Sequence, residues 1–500
     1  MRRHKEYCGI FGIFNAEGAA NHIYLGLHAL QHRGQESAGI VTSVFDESKQ
    51  RITMPAHRGD GLVLDVFAEP SIFTTKLLGT NGIGHNRYST SGASDNRSNI
   101  QPFVVRYRDG NLALAHNGNL SNARELRTTF DERGTLFSTT SDTELILHLI
   151  AQSTRRKQID KIIDALTQVE GAFSLAILTD DSLIAVRDPN GFRPLAIGVH
   201  DTAGPGGTPA YCIASETCAF DLVGVRYLRD VEPGEIVVIN RHTIQTGEFK
   251  SYHLAQKHGI SQCVFEYIYF SRPDSKIFGE MVDKVRRKIG KQLAHDAPPP
   301  IVADGEAPPI VISVPDSSNT ATLGYARECE KIGIPAIYEI GLIRNHYVGR
   351  TFISPGQKAR ERKVRSKFNT VEGVIKNRVV VMVDDSIVRG TTAKLLIRMI
   401  RNAGAKEVHF RVASPPVVSP CFYGMDFPSH EELMANQHNG NVEEMRRWLD
   451  VDSLAYLSVE GLADAVSATN ASKHGYCNAC FSGKYPVPVE LGMEKDENDW

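Results

Sequence analysis

The feature that most constrains this chain is the run VVVMVDDSIVRGTT, residues 379–392. Five apolar residues in succession, four of them valine, read as a strand buried on both faces. Such a strand belongs in a parallel sheet with helices on either side. The strand ends in two adjacent carboxylates, Asp384 and Asp385. It passes through Ser386, Arg389 and Gly390 into a helix that starts at Thr391 and Thr392. Leu395, Leu396, Met399 and Ile400 give that helix an apolar face, and Gly404 can end it. A strand, a short loop and a helix N-terminus form a natural anion site, because free backbone N–H groups and the helix dipole face the loop. Gly390 permits close backbone approach, and the threonine hydroxyls add donors. Carboxylates at the C-terminal end of a strand can accept ribose hydroxyls and help hold Mg²⁺. Asp-Asp alone would read equally well as a solvated acidic turn. No Gly-Lys-Ser/Thr is present, so this is not a Walker loop.

Strands and helices alternate around this run. PIVISV (309–314) and EVHFRVAS (407–414) read as buried strands, and TLGYARECEKIG and TAKLLIRMIRNAG as helices, which predicts a parallel sheet. Residues 8 to about 250 differ in style. IGHNRYST (83–90), LALAHNGNL (112–120), AFSLAILT (172–179) and EIVVI (235–239) are short strands separated by turn residues, with helical patterns near 21–32 and 142–152. Stacked, mostly antiparallel sheets with helices are expected there. A chain of 500 residues is expected to hold more than one domain.

The whole 379–392 string resembles the phosphoribosyl pyrophosphate (PRPP) signature of type I phosphoribosyltransferases. The resemblance implies that Asp384, Asp385, Ser386, Arg389, Gly390, Thr391 and Thr392 bind PRPP. VPDSSNTA (314–321) resembles the pyrophosphate and metal loop, which implies Ser318 as a Mg²⁺ contact beside Asp384 and Asp385. By itself that string is an ordinary strand-to-helix turn with a cap. RNHYVGRTF carries the Arg, Tyr and Gly of a mobile lid. Arg344 and His346 stand there where relatives are expected to carry Lys and Arg.

CGIFGIF begins at Cys8, and a lone cysteine in an apolar strand is usually just a small buried side chain. LQHRGQESAG (30–39), GHNRYSTSG (84–92), HNGNLSN (116–122) and TSDTE (140–144) change that reading. Together they resemble the N-terminal-nucleophile glutamine amidotransferases. The resemblance implies Cys8 as nucleophile and Asn117 with the Gly118 N–H as oxyanion site. It further implies that Arg87 pairs with the glutamine α-carboxylate and Asp142 with its α-ammonium, with Arg33 and Thr90 completing the pocket. For Arg33 a salt bridge within the domain is the other reading. Removal of residues 1–7 would give Cys8 an α-amine, whose ordinary pKa of about 7.7–8.0 suits it to act as the thiol's base. Tyr7 precedes Cys8 where relatives with longer leaders are expected to carry Glu. His28, His32, His85 and His116 read as packing or hydrogen-bonded residues.

With SETCAFD (215–221), DPNGFRPL (188–195), FEYIYFSRPDS (265–275) and RNHYVGRTFI (344–353), the combination is similar to the amidophosphoribosyltransferases. It implies a propeptide (1–7), an α+β αββα glutaminase sandwich (8–255), an α/β type I phosphoribosyltransferase domain with a parallel sheet (256–485) and a polar tail (486–500). The implied reaction uses ammonia from glutamine to displace pyrophosphate from PRPP, giving phosphoribosylamine at the start of purine synthesis. Ammonia must then cross an enclosed, water-poor passage. The resemblance also implies a homotetramer inhibited by purine nucleotides. Another glutamine-dependent synthase would need sugar-isomerase domains in place of VDDSIVRGTT. A non-catalytic PRPP or nucleotide sensor would be favoured by loss of Cys8, Asp384 or Asp385.

Of eight cysteines, Cys477 and Cys480 form a C-x-x-C pair, open to zinc, redox or iron–sulfur chemistry. Cys263 and Cys421 can complete a set of four. That set resembles the iron–sulfur subclass of the family, which implies a structural [4Fe–4S] cluster; a four-cysteine zinc site is the other reading. Cys212, Cys218 and Cys329 are expected to be buried or inert. The formal net charge of −2 gives no case for a nucleic-acid or membrane partner. The start has no apolar signal core, so a cytoplasmic protein is expected.

Overall fold

The computed structural model describes residues 7–88, 97–345, 366–425, 427–467 and 475–489. Among them, two antiparallel sheets stack face to face. The first has eight strands, in the order Arg226–Asp230, Ala196–His200, Ala210–Ala214, Tyr7–Phe14, Asn81–Tyr88, Ser37–Asp46 and Arg51–Thr53, with Ala56–Asp60 also on Ser37–Asp46. The second has six, in the order Lys250–His253, Glu235–Asn240, Ser182–Arg187, Gly171–Thr179, Gly110–Leu120 and Phe103–Tyr107.

The two-residue period of a strand decides what lies between these sheets. Ile10, Phe14 and Ile83 of the first sheet meet Ala113, Ala115, Ala176 and Leu178 of the second. The alternate residues Phe11 and Ile13 turn outward under the helix Ala19–Ala29. Leu112, Leu114, Leu175 and Ile177 turn outward under the helices Thr143–Gln152 and Gln158–Leu166. The result is an αββα sandwich. Cys8 shares parity with Ile10, Arg87 with Ile83, and Asn117 with Ala115. All three therefore belong to the inner faces.

A five-stranded sheet follows, in the order Ile337–Tyr338, Ile310–Ser313, Val379–Asp384, Glu407–Val412 and Ser453–Tyr456, every neighbour parallel. The Val379–Asp384 strand is central and buried on both faces. Val380 and Met382 pack with the helix Thr391–Asn402, and Val381 and Val383 with the helices Val282–Asp296 and Asn319–Lys331. The buried face of Thr391–Asn402 is Ala393, Leu396, Ile397 and Ile400. The expected face is thus rotated, because Leu395 turns to the cavity above the sheet. Among the described residues no helix is long and apolar enough to cross a membrane.

The sandwich and the parallel sheet meet through buried charge. Arg33 reaches Glu216 and, at 2.8 Å, Glu266, while Arg193 reaches Glu266 at 3.1 Å and the Tyr423 carbonyl at 2.8 Å. All four of these charged side chains are buried. Phe192 stacks on Tyr423 with ring centroids 4.3 Å apart. Asn119 donates to the Phe422 carbonyl at 2.9 Å, which ties the 421–425 loop to the strand carrying Asn117 and Gly118.

Candidate functional site

Cys8 lies on the second residue of its strand, paired in register with Arg87. Both are nearly enclosed. Asn117, on the facing sheet, is buried, and its Nδ2 has no hydrogen-bond partner. An unsatisfied buried donor costs about 1–3 kcal/mol, and this amide is free to donate to an oxygen of a bound ligand. Gly118 follows with φ 150°, and a Cβ there would lie 2.0 Å from the Ala172 carbonyl oxygen. Only glycine fits. Asp142 stands just before the helix Thr143–Gln152. It accepts the Leu120 N–H at 2.9 Å and lies 3.7 Å from His116 Nδ1. Burial would raise its carboxyl, but His116 and these donors hold it below the usual carboxylate range.

Arg33 is placed differently from the glutamine-pocket expectation. It is fully buried, its Nε donates to the Cys8 carbonyl at 3.1 Å, and its remaining nitrogens are taken by Glu216 and Glu266. It thereby holds the backbone of Cys8. Thr90 and His346 lie outside the described residues.

The second site is a cavity of about 910 Å³ above the C-terminal edge of the parallel sheet. Asp384, Asp385, Ser386, Arg389, Gly390, Thr391 and Thr392 all line it. Burial raises the Asp384 carboxyl well above its ordinary value, and the Asp385 charge adds to this. Burial raises Asp385 too, only partly relieved by Ser317, Ser386 and Arg286. Two adjacent carboxylates strained in this way fit a cation that would neutralise them. Gly390 has φ 71°, and a Cβ on it would meet Met434 and Trp448. Arg389 is anchored at 2.8 Å by Glu432, and its buried Nε has no partner.

Ser318 is fully buried beside the cavity, and its hydroxyl donates to the Val314 carbonyl. Its neighbours Asp316 and Ser317 line the cavity, and Arg344 closes on Asp316 at 3.1 Å.

Cys263 and Cys477 are paired residues of a short parallel ladder, and Cys480 lies one turn beyond Cys477. Cys421 Sγ accepts N–H groups from Tyr423 at 3.3 Å and Met425 at 3.4 Å. None of the four forms a disulfide. Burial pushes the Cys263 thiol up to about 12 and raises Cys477 and Cys480 well above the usual range, with the other cysteines adding to it. Thiols gathered this way need positive charge to ionise, which iron or zinc would supply. Among the described residues no three His, Cys, Asp or Glu groups stand at the spacing of a single ion.

The sequence reading did not single out Glu216, Glu266, Arg193, Arg286 or Ser317. A signal was present for Glu266, since a carboxylate inside the aromatic run FEYIYF must be paired if that run is buried.

Comparison with known proteins agrees with this geometry. A glutamine amidotransferase domain family matches residues 85–221. The amidophosphoribosyltransferase of Bacillus subtilis is 47% identical over 97% of this chain and 95% of its own length. That of Archaeoglobus fulgidus is 45% identical over 96% and 98%. A solved allosteric regulatory enzyme of purine biosynthesis superposes with TM-score 0.85 at 45% identity, covering 99% of both chains. The glutamine PRPP amidotransferase of B. subtilis, solved with ADP and GMP, superposes with TM-score 0.84 at 45% identity, over 98% of this chain and 99% of that one.

Proposed function

The chain belongs to the amidophosphoribosyltransferase family, glutamine-dependent enzymes of purine biosynthesis that aminate PRPP, and on that premise we propose how its residues divide the work. The Cys8 thiol attacks the glutamine carboxamide, and its proton passes to the Cys8 α-amine once residues 1–7 are removed. The oxyanion is received by Asn117 Nδ2 and the Gly118 N–H. Arg87 holds the glutamine α-carboxylate, Asp142 holds its α-ammonium, and Thr90 completes the pocket. Arg33 positions the Cys8 carbonyl. Ammonia leaves, and water releases glutamate from the thioester.

In the second cavity ammonia attacks C1 of PRPP, the C1–O bond breaks, and pyrophosphate departs with the electron pair. Ser386, Gly390, Thr391 and Thr392 cradle the 5-phosphate at the helix N-terminus. Asp384 and Asp385 hold the ribose hydroxyls. Mg²⁺, held by the same two carboxylates, would neutralise charge on the leaving pyrophosphate. Cys263, Cys421, Cys477 and Cys480 would hold a structural [4Fe–4S] cluster, whose positive charge would let their buried thiols ionise. We place the enzyme in the cytoplasm as a homotetramer, with purine nucleotides as inhibitors; a relative's structure with ADP and GMP supports nucleotide binding.

The observation that carries the reading is the unpartnered Asn117 Nδ2, an enclosed donor on the sheet facing Cys8. The test is pyrophosphate release from PRPP with glutamine and, separately, with ammonium chloride. Release with both is expected. Release with neither, from folded protein, would sink the proposal.

A further inference from the structure

The three-residue turn Gln31–Arg33 touches both sites. Arg33 holds the Cys8 carbonyl at 3.1 Å, and the next side chain back, His32, lines the PRPP cavity. His32 Nε2 lies 2.7 Å from Glu216 Oε1, while its Nδ1 is buried and has no partner. Glu216 is fully buried, and it also accepts Arg33, the Ser275 hydroxyl at 2.6 Å and the Arg272 N–H at 2.9 Å. With Arg33, Ser275 and the Arg272 N–H donating to it, Glu216 is a carboxylate, so Nε2 carries the proton that joins it to His32. In the neutral imidazole the lone pair then lies on Nδ1.

We propose that His32 Nδ1 is the hydrogen-bond acceptor that receives ammonia between the glutaminase site and the PRPP cavity. The inference rests on the amidotransferase reading above and adds a residue to it. The chemistry selects an acceptor. Ammonia held by one of its N–H bonds keeps its own lone pair free to attack C1. A donor at the same place would occupy that lone pair and slow the attack. The surroundings suit a neutral molecule: the Phe270 ring lies 6.5 Å from the imidazole, and the Arg33 guanidinium beyond it is stacked on the same ring at 4.2 Å. Arg33 is neutralised by Glu216 and Glu266, so ammonia meets no unpaired charge from it.

The test is the amount of pyrophosphate formed per glutamate formed, measured with glutamine and PRPP on the full chain. Wild-type protein is run first, and its pyrophosphate release tests the underlying reading independently. His32→Gln can keep a donor on Glu216 while omitting Nδ1. Its ratio is expected to fall roughly 2- to 10-fold, the effect of losing one neutral hydrogen bond. His32→Asn can place an amide oxygen near Nδ1 and is expected to keep more of the coupling. His32→Phe keeps the ring's packing without either nitrogen and serves if the glutamine variant does not fold; the same fall is expected. A wild-type ratio in His32→Gln or His32→Phe, shown folded by a cooperative melt, overturns the proposal. So does a lower ratio in His32→Asn than in His32→Gln.

Discussion

The Nε of Arg33 donates to the carbonyl of Cys8 at 3.1 Å, so the backbone of Cys8 is held by a fully buried cation. Burial alone would lower the Arg33 pKa, but Glu266 and Glu216 raise it above its ordinary value. Removing the cation would leave two buried carboxylates short of a partner. Arg33→Met is expected to cost about 3–5 kcal/mol, read as a shift in the urea midpoint. Arg33→Lys should fall between it and wild type, since one ammonium cannot serve two carboxylates and a carbonyl at once. An unchanged midpoint in Arg33→Met would show that the network does not stabilise the junction.

Cys8→Ala separates the two sites. Glutamine-dependent synthesis should be abolished, while ammonia-dependent synthesis is kept within about twofold, because nothing in the PRPP cavity is altered. The measurement is pyrophosphate release with each nitrogen source. Loss of both from folded protein would contradict a two-site scheme.

How much of this was legible in the sequence depended on whether the groups were neighbours along the chain. Asp384 to Thr392 form one continuous strand, loop and helix start, so the string itself describes the cavity wall. The alternation of Ile10, Phe11, Ile13 and Phe14 likewise foretells two packed faces. Arg33 could not be placed, because its partners Glu216 and Glu266 lie 183 and 233 residues away. His32 reads as an ordinary packing residue until Glu216 is seen to fix its tautomer.

The four cysteines make a prediction that needs no activity. Anaerobically purified protein should contain roughly four irons and four sulfides per chain, and intact mass should show residues 1–7 removed. Cys480→Ser should lose iron and loosen the ladder that joins Cys263 to Cys477, seen as faster proteolysis of the C-terminal segment. Zinc without sulfide would replace the cluster with a structural zinc and leave the amidotransferase chemistry as it stands.

Asp384 and Asp385 should trade stability for activity. Burial raises both carboxyls in the folded chain, and the Asp385 charge raises Asp384 further. A raised carboxyl binds its proton more tightly folded than unfolded. Its penalty is therefore absent below the ordinary carboxylate pKa, grows as pH rises from there to the folded value, and is constant above it. Without ligand, Asp384→Asn and Asp385→Asn should melt higher than wild type at pH 8 and close to it at pH 4. Adding PRPP with Mg²⁺ should reverse the order, since the wild-type pair then meets the cation and hydroxyls it is built for. Synthesis from either nitrogen source should fall by at least roughly 100-fold in both variants. Thermal melts at the two pH values, with and without PRPP and Mg²⁺, decide the matter. An asparagine variant that melts below wild type at pH 8 without ligand would mean that the pair is already neutralised within the protein. Normal ammonia-dependent rates in both variants would remove Asp384 and Asp385 from the site altogether.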